Sequence, residues 1–167
     1  SMKKKLIVTL EYPPEIGGIA TYVHELALAL GPANIIVLAP LNRASADWDT
    51  DLPYRVIRKR LLLPRFFWPR WILILCHVLL VAKREQIEVV LIHHLLPVGY
   101  AGVVVNRLMR IPYIVFLHGT DFVSSIRTSW KAKMANLVTE RAKGLVFNSQ
   151  SLHDRFAGAF PAVSRKA

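Results

Sequence analysis

The amino-acid sequence predicts an α/β fold, an open and mainly parallel sheet with helices on both faces. Short runs of β-branched and aliphatic residues alternate with segments whose apolar residues recur at helical spacing, as in repeated strand-helix-strand units. Polar residues cluster directly after the apolar runs, at the predicted carboxyl ends of the strands. With 167 residues, 53% of them hydrophobic, the chain can bury one substantial core. We therefore expect a single domain over residues 2–167.

The first part of the chain predicts three strands and one helix. The helix carries Tyr22, Leu26 and Leu30 four residues apart, so one face can pack on the sheet, and Gly31-Pro32 ends it. The strands are KLIVTL, NIIVLAP and YRVIRKR, with a polar loop between the second and the third. Alternating Val and Arg in the third strand predict an edge or half-exposed position.

The second part predicts three further strands and four helices. The strands are IEVVLIHH, PYIVFLHGTD and the GLVF run, and the helices are Trp71 to Arg84, VGYAGVVVNRLMR, TSWKAKMANLVTERAKG and a short final helix. We expect Trp130, Met134 and Leu137 to form the apolar face of the third of these helices. The final helix is predicted to be capped by Ser149 or Ser151.

The junction between the first strand and the first helix contains two prolines and two glycines. Pro13 and Pro14 fix φ, whereas Gly17 and Gly18 allow a positive φ and the close approach of another molecule. One interpretation is a backbone shaped for a ligand, with at least one glycine in a conformation costly for other residues. The other is that the glycines only turn the chain into the helix.

The polar residues at the predicted strand ends mark a candidate site. They are Glu11, His93, His94, His118, Asp121, Asn148 and Ser149. Ligands of open parallel sheets bind along this edge, so we predict that His94, Asn148 and Ser149 contact a ligand there. His118 ends an apolar strand, where its imidazole can reach a hydroxyl or stabilise developing charge. The alternative for His118 is a histidine that only bonds backbone at the strand end.

Several common enzyme signatures do not occur in the sequence. No G-x-G-x-x-G follows the first strand, which makes a dinucleotide-binding oxidoreductase the weaker alternative, and neither a P-loop nor G-x-S-x-G is present. His93, His94 and His118 lie on neighbouring strand ends, but no H-x-x-x-H or H-E-x-x-H spacing supports a metal site. We expect neither a metal nor a cofactor.

The chain is strongly basic, with 22 Lys and Arg against 11 Asp and Glu. Residues 54–84 contain basic residues and no acidic ones, and there Arg65, Trp68 and Arg70 combine cationic and aromatic groups as at an anionic membrane surface. The alternative is that the apolar residues of this stretch bury a helix against the sheet. Nucleic acid is an unlikely partner, because no recognised binding motif accompanies the charge.

Two further observations indicate the cellular compartment of the protein. The most apolar stretch, WILILCHVLLVA, is shorter than the roughly 20 residues that span a bilayer. The single cysteine, Cys76, excludes an intrachain disulfide and favours a reducing compartment, and its apolar neighbours predict that it is buried. We expect a cytoplasmic protein that contacts the inner face of the membrane peripherally.

Four segments together resemble a known family. YPPEIGGIATYVHELALAL, VVLIHHLLPVGYAG, PYIVFLHGTDF and AKGLVFNSQSLHDRF are similar, in order and spacing, to the N-terminal half of group 1 (RfaB/RfaG-like) retaining glycosyltransferases. The resemblance implies the GT-B architecture of two Rossmann-like domains. The N-terminal domain then supplies most of the acceptor site, and the C-terminal domain holds most of the nucleotide-sugar.

The resemblance also implies residue roles. Gly17 and Gly18 would lie close to the donor phosphates and the acceptor, and His118 would contact the donor sugar near the reacting carbon. Asp121 would bind a ligand or brace the turn. The acceptor would be an anionic or lipid-linked saccharide, such as a glycolipid, lipopolysaccharide or polysaccharide precursor of a bacterial cell envelope.

The C-terminal domain of that family, with its paired-glutamate motif, is missing from these 167 residues. We therefore expect a domain of a hexosyltransferase that is inactive when isolated. The competing hypothesis is a non-catalytic module that binds anionic lipid or polysaccharide.

Overall fold

Strands and helices alternate along residues 3–161, the part of the chain that the computed structural model describes. The strands are β1 Lys5–Val8, β2 Ile35–Pro40, β3 Arg55–Lys59, β4 Val89–His93, β5 Tyr113–Leu117 and β6 Gly144–Phe147. The helices are α1 Gly18–Ala29, α2 Ser45–Asp49, α3 Ile72–Glu85, α4 Val98–Met109, α5 Thr120–Ser125, α6 Ser129–Arg141 and α7 Gln150–Ala159, with a 3-10 turn at Pro32–Asn34. The ends of the predicted domain, residues 2 and 162–167, lie outside the described residues.

The six strands form one parallel sheet in the order β3-β2-β1-β4-β5-β6. Both of its faces are covered. Leu6 and Val8 of β1 belong to a core cluster shared with α3, α4, α6 and α7, whereas Ile7 belongs to a second cluster with Val23 and Ala27 of α1. The predicted fold class, a Rossmann-like open parallel sheet with helices on both faces, is confirmed.

The edge position predicted for β3 is also confirmed. Its side chains are exposed or half-buried, and it pairs with β2 alone among the described strands. Arg58 of β3 forms an ion pair with Asp49 at 2.9 Å and also donates to the carbonyl of Pro13. The edge strand thus helps to hold the loop that follows β1.

Helix α4 packs against its neighbours through glycine. A Cβ atom on Gly102 would overlap the buried side chain of Ile92 and lie 3.3 Å from the ring of Tyr113. A Cβ on Gly99 would lie 2.6 Å from Val138 of α6. Both glycines are therefore required for close packing, of α4 on the sheet and of α6 on α4.

Three details differ from the predictions. Cys76 is exposed, because it lies on the outer side of α3, between the buried Ile74 and Val78. The buried face of α6 consists of Ala135, Val138 and Thr139, while Trp130 is 52% exposed, because α6 packs against the glycine face of α4. The loop after β2 contains α2, and the turn after β5 continues into α5.

Candidate active site

The candidate site lies at the carboxyl edge of the sheet, where the strand order reverses between β1 and β4. Open α/β sheets bind ligands in the crevice at such a switch point. A cleft of about 320 Å³ opens here. It is lined by Leu10, Glu11, Ile19, His94, Leu96, Thr120, Asp121 and Ser124.

His118 and His93 form a hydrogen-bonded pair at the ends of β5 and β4. Nδ1 of His93 lies 2.9 Å from Nε2 of His118, and the two rings are inclined by 21°. Phe116 stacks on His93 at 4.5 Å between ring centroids, and Tyr22 of α1 meets His118 edge-on at 5.1 Å. The imidazole of His118 is therefore held by two neighbouring rings, those of His93 and Tyr22, and Phe116 supports His93 from behind.

Burial determines which nitrogens of this pair carry protons. His93 is fully buried, and its Nε2 atom has no hydrogen-bond partner among the described residues. A buried N–H without a partner is less favourable than a buried acceptor without one. We therefore assign the proton of His93 to Nδ1, which donates to Nε2 of His118. Neutral His118 then carries its own proton on Nδ1, where it is free to donate to a ligand.

The surroundings also keep this pair neutral. Burial lowers the pKa of His93 well below its usual value, and the neighbouring His118 and His94 lower it further. Burial likewise lowers the pKa of His118, although Asp121 opposes the effect. The site therefore offers a neutral hydrogen-bond donor instead of a cation.

Asp121 braces two loops of the site. Its Oδ1 atom accepts from the backbone N–H groups of His118, Gly119 and Phe122 at 3.1, 3.0 and 2.9 Å. Its Oδ2 atom accepts from the N–H of Leu95 in the loop after β4 at 3.2 Å. Gly119 has a φ of +106°, a conformation that side chains rarely adopt. These contacts support the bracing role, and ligand contact by Asp121 stays a prediction.

His94 has a positive φ of 96°, which is unusual for a residue with a side chain. The conformation turns the side chain into the cleft, where Nε2 lies 3.4 Å from the hydroxyl of Thr9. Burial lowers the pKa of His94 to about 4, with Asp121 opposing and His118 reinforcing the shift. Glu11 faces the same cleft, and burial, followed by Glu15 and Asp121, raises the pKa of its carboxyl.

The conformational prediction for Gly17 and Gly18 is wrong. Gly17 is extended, with φ 173° and ψ 159°, and Gly18 begins α1, so neither needs a left-handed conformation. Both glycines are exposed, and a Cβ on either would meet no described atom within 4 Å. These two glycines therefore leave open space beside the backbone at the start of α1. Their contact with a ligand stays a prediction.

Asn148 and Ser149 follow β6 at the same edge. The side-chain amide of Asn148 donates to the carbonyl of His118 at 3.2 Å, and the hydroxyl of Ser149 caps α7 by accepting from the N–H of Leu152 at 3.1 Å. The predicted cap is confirmed. Both side chains have a structural partner and border an open groove beside Phe147, so their contact with a ligand also stays a prediction.

The predicted membrane-surface residues lie in the segment 60–71, between β3 and α3. Arg65, Trp68 and Arg70 are exposed, and so are Phe66 and Phe67. The alternative, in which the apolar residues of this stretch are buried against the sheet, holds for Leu61, which is 2% exposed in the core, and not for Phe66, which is 92% exposed. Within residues 3–161, no helix has the length and apolar character required to cross a bilayer.

The arrangement of titratable groups also bears on metal binding. Over the described range, no group of three or more His, Cys, Asp or Glu side chains is placed to hold a metal ion. His93 and His118 direct nitrogen atoms at each other, which makes them poorly placed to share a ligand. That no metal or cofactor takes part remains an expectation.

A parallel sheet of this strand order, with polar groups gathered at its switch point, defines a Rossmann-like ligand-binding domain. Residues 16–166 match the family described as Glycosyltransferase Family 4, and the chain belongs to that family. The expected glycosyltransferase N-terminal domain is thereby confirmed, and the oxidoreductase alternative is no longer needed.

Individual relatives agree with this assignment. The chain is 27% identical over 165 residues to a GDP-mannose-dependent monoacylated alpha-(1-6)-phosphatidylinositol monomannoside mannosyltransferase from Corynebacterium glutamicum, covering 95% of this chain and 41% of the relative. Its fold is similar to Anabaena Alr3699/HepE in complex with UDP and glucose, with a TM-score of 0.70 and 19% identity over 94% of this chain and 41% of that one. The fold is also similar to that of UGT73P12 from Glycyrrhiza uralensis, with a TM-score of 0.57 and 10% identity. The match covers 99% of this chain and 48% of that one. The chain thus spans about two fifths of the first two proteins.

The sequence places His93 at the predicted strand-end edge, but no role at the site is predicted for it. A signal was present, because His93 continues the alternation of the buried Val89 and Leu91 and therefore faces the interior of the sheet. Its pairing with His118 depends on β4 lying beside β5, which the sequence does not state.

Proposed function

We propose that this chain is the acceptor-side domain of a retaining glycosyltransferase that transfers a hexose from a nucleotide-sugar to a saccharide or lipid-linked acceptor. Membership of Glycosyltransferase Family 4 supports the reaction class. The name of the C. glutamicum relative, which pairs GDP-mannose with an acylated phosphatidylinositol mannoside, supports a hexose donor and a lipid acceptor. The UDP and glucose bound to the Anabaena protein support a nucleotide-sugar.

The observation that carries the proposal is the neutral donor beside the cleft, on His118, directly before the turn whose Thr120 and Asp121 line it. The Nδ1–H of His118 is the free polar group of a buried imidazole pair, and a neutral N–H suits a sugar hydroxyl better than a phosphate. A donor held in place before the reaction needs no reorganisation as charge develops on the sugar. His118 is accordingly the proposed catalytic residue.

The glycine loop is proposed to bind the phosphates of the donor. Gly17 is the N-cap of α1 and offers no side-chain cap, so the first backbone N–H groups of the helix are available to an anion. Because Gly17 and Gly18 leave the space above them open, the phosphate can approach the backbone closely. His94, Asn148 and Ser149 complete the proposed donor and acceptor contacts.

The test uses the longer enzyme proposed here, in which a donor-binding domain follows this chain. Replacing His118 with Ala is expected to lower the transfer rate from UDP- or GDP-linked hexoses about 100-fold, the usual effect of losing one positioned donor. His77→Ala, on α3 and away from the cleft, is the matched control and should keep its activity. Unchanged transfer by the His118→Ala enzyme would remove His118 from the mechanism.

A second candidate function is supported by the exposed aromatic segment. Phe66, Phe67 and Trp68 are 92%, 57% and 79% exposed beside Arg65 and Arg70, a combination that suits the interface of an anionic membrane. We propose peripheral membrane contact by this segment, either as an aid to a lipid-linked acceptor or as the whole function of a non-catalytic lipid-binding module. Sugar transfer by the longer enzyme would support the first role, and its absence would support the non-catalytic module.

A further inference from the structure

A second concave surface, the aromatic groove, lies between the segment 60–71, the start of α4, and helices α5 and α6. Its volume is about 340 Å³, within the range of roughly 300–1,000 Å³ that is usual for small-molecule sites. It is lined by Leu62, Trp68, Arg70, Trp71, Leu96, Pro97, Tyr100, Ser124, Ser125, Trp130 and Lys131. The lining combines large apolar side chains with two cations.

Three aromatic rings form a row along this groove. Trp71 stacks on Tyr100 with 5.1 Å between ring centroids and an angle of 25°, and Tyr100 lies 6.3 Å from Trp130 at 36°. Because Trp71 and Tyr100 stack on each other, each of these two rings has one face less to offer to a sugar. The row suits a flexible aliphatic chain better than a pyranose ring.

The charges at the groove have a single sign. Arg70 donates through Nε to the carbonyl of Leu63, and this contact leaves the terminal nitrogens of its guanidinium for an anion. Lys131 lies in the first turn of α6 and is exposed. The described lining residues include no Asp or Glu to neutralise them. The pair therefore favours a phosphate over a neutral head group.

The groove continues into the candidate active site. Leu96 and Ser124 line both the aromatic groove and the cleft that contains His94 and Asp121. Trp68, at the other end, belongs to the exposed aromatic segment proposed to contact the membrane. A lipid held in the groove would thus reach from the membrane side of the domain toward the cleft.

We propose that the aromatic groove binds the aliphatic chain of a phosphate-bearing lipid acceptor, with its phosphate at Arg70 and Lys131. This inference rests on the proposed glycosyltransferase function and defines the class of acceptor. The chain next to the phosphate packs along Trp71, Tyr100 and Trp130, and the sugar to be extended points toward the cleft.

The test measures binding of decyl phosphate, below its micelle concentration, to residues 1–167. Three of the four tryptophans of the chain, Trp68, Trp71 and Trp130, line the groove, so a blue shift of tryptophan emission reports binding. Shortening the probe to octyl phosphate should weaken binding at least about fourfold, because two methylenes leave the groove. Inorganic phosphate at the same concentration should produce no shift.

Matched variants separate the groove from its surroundings. Trp130→Ala should weaken binding of decyl phosphate about tenfold, whereas Phe66→Ala, an exposed aromatic outside the groove lining, should not change it. Lys131→Ala should weaken binding about fivefold, and Lys133→Ala on the same helix should not. Thermal unfolding of each variant confirms that it is folded.

Three results would overturn the inference. The first is that decyl phosphate shows no saturable binding. The second is that Trp130→Ala and Phe66→Ala weaken its binding equally. The third is that decyl maltoside binds as tightly as decyl phosphate. The first two results would exclude the groove as the binding site, and the third would exclude recognition of the phosphate. Because the measurement requires no catalysis, failure of the inference is distinct from failure of the proposed function, which the transfer assay decides.

Discussion

His118 and His93 show how two adjacent histidines can carry different roles at one strand-end site. His118 is half-buried beside the turn that lines the cleft, whereas His93 is enclosed and donates to His118. The enclosed ring can avoid a buried unpaired N–H only by directing its proton at His118. His93 is therefore a positioning residue that selects the tautomer of the proposed catalytic histidine.

His93→Phe tests this role, since the phenyl ring keeps the stacking on Phe116 and removes the donor. Without a donor at Nε2, His118 accepts a proton more easily, so its pKa should rise toward the ordinary value of 6.5. NMR titration of the His118 ring measures the shift. A purely structural role for His93 predicts an unchanged His118 titration in a folded variant.

His94 should make the stability of the domain depend on pH. Its pKa is about 4 in the folded chain and 6.5 as the reference for the unfolded chain, so only the unfolded state takes up a proton between these values. The contribution of neutral His94 to the free energy of unfolding is therefore fully present above pH 6.5, and it is lost as the pH falls toward 4. The loss reaches about 3 kcal/mol. The lowered pKa values of His93 and His118 act in the same direction.

Urea unfolding of the chain and of His94→Asn at pH 7.5 and pH 5 measures this effect. Asn tolerates the positive φ of the position and does not titrate. The free energy of unfolding should fall less for the variant between the two pH values. An equal fall in both proteins would assign the acid sensitivity to other groups.

At the residue level, the sequence predicted where the polar side chains lie along the strands, while their contacts with a ligand stay predictions. His118, His94 and Asp121 all lie at the predicted edge, around one cleft or its bracing turn. The conformation of Gly17 could not be predicted, because a glycine that gives room for a ligand and one that turns the chain look alike in sequence.

At the scale of elements, α4 packs closely on the sheet through Gly102. Gly102→Ala places a methyl group against Ile92 and Tyr113, both about 1% exposed, so the neighbours have little room to move. We expect a loss of about 1–3 kcal/mol from overpacking, reduced by the roughly 1 kcal/mol that Ala gains over Gly in a helix. Chemical denaturation measures the difference.

Gly158→Ala in α7 is the matched control, because a Cβ there meets no described atom within 4 Å. It should be neutral or stabilising. If the two substitutions had equal effects, close packing would not explain Gly102.

All six strands were predictable, five as short apolar runs and β3 from its alternation of apolar and basic residues. The short helices α2 and α5 were not, since neither has an apolar repeat of its own. Their positions depend on tertiary contacts such as the Asp49–Arg58 ion pair and the backbone bonds of Asp121.

At the scale of the molecule, residues 1–167 alone should transfer no sugar. The chain spans 41% of the C. glutamicum relative, and the proposed donor grip comes from the domain outside it. A coupled assay for released nucleotide, with the longer enzyme as positive control, measures this. Multiple turnovers by the isolated chain would contradict the half-enzyme proposal.

The whole chain should also bind anionic vesicles. Its net charge is +11, and Arg65, Trp68 and Arg70 are exposed together, so it should sediment with anionic liposomes and less with zwitterionic ones. Replacing these three residues with Ala should abolish sedimentation, whereas replacing Arg107, Arg110 and Lys143 should reduce it only slightly. Equal amounts of protein in the supernatant with and without anionic vesicles, at low salt, would exclude the membrane contact.

The central position of β1 has a consequence for synthesis of the chain. β1 is synthesised before the other five described strands, yet it pairs with β4 in a register that joins Lys5 to Val89. At about 5–20 residues per second, β4 follows β1 by roughly 4–17 s. Throughout that interval one edge of the nascent β1 strand lacks its native partner, and it is open to chaperones or to other chains. The switch point that creates the cleft therefore cannot form until β4 has been synthesised, after β1, β2 and β3.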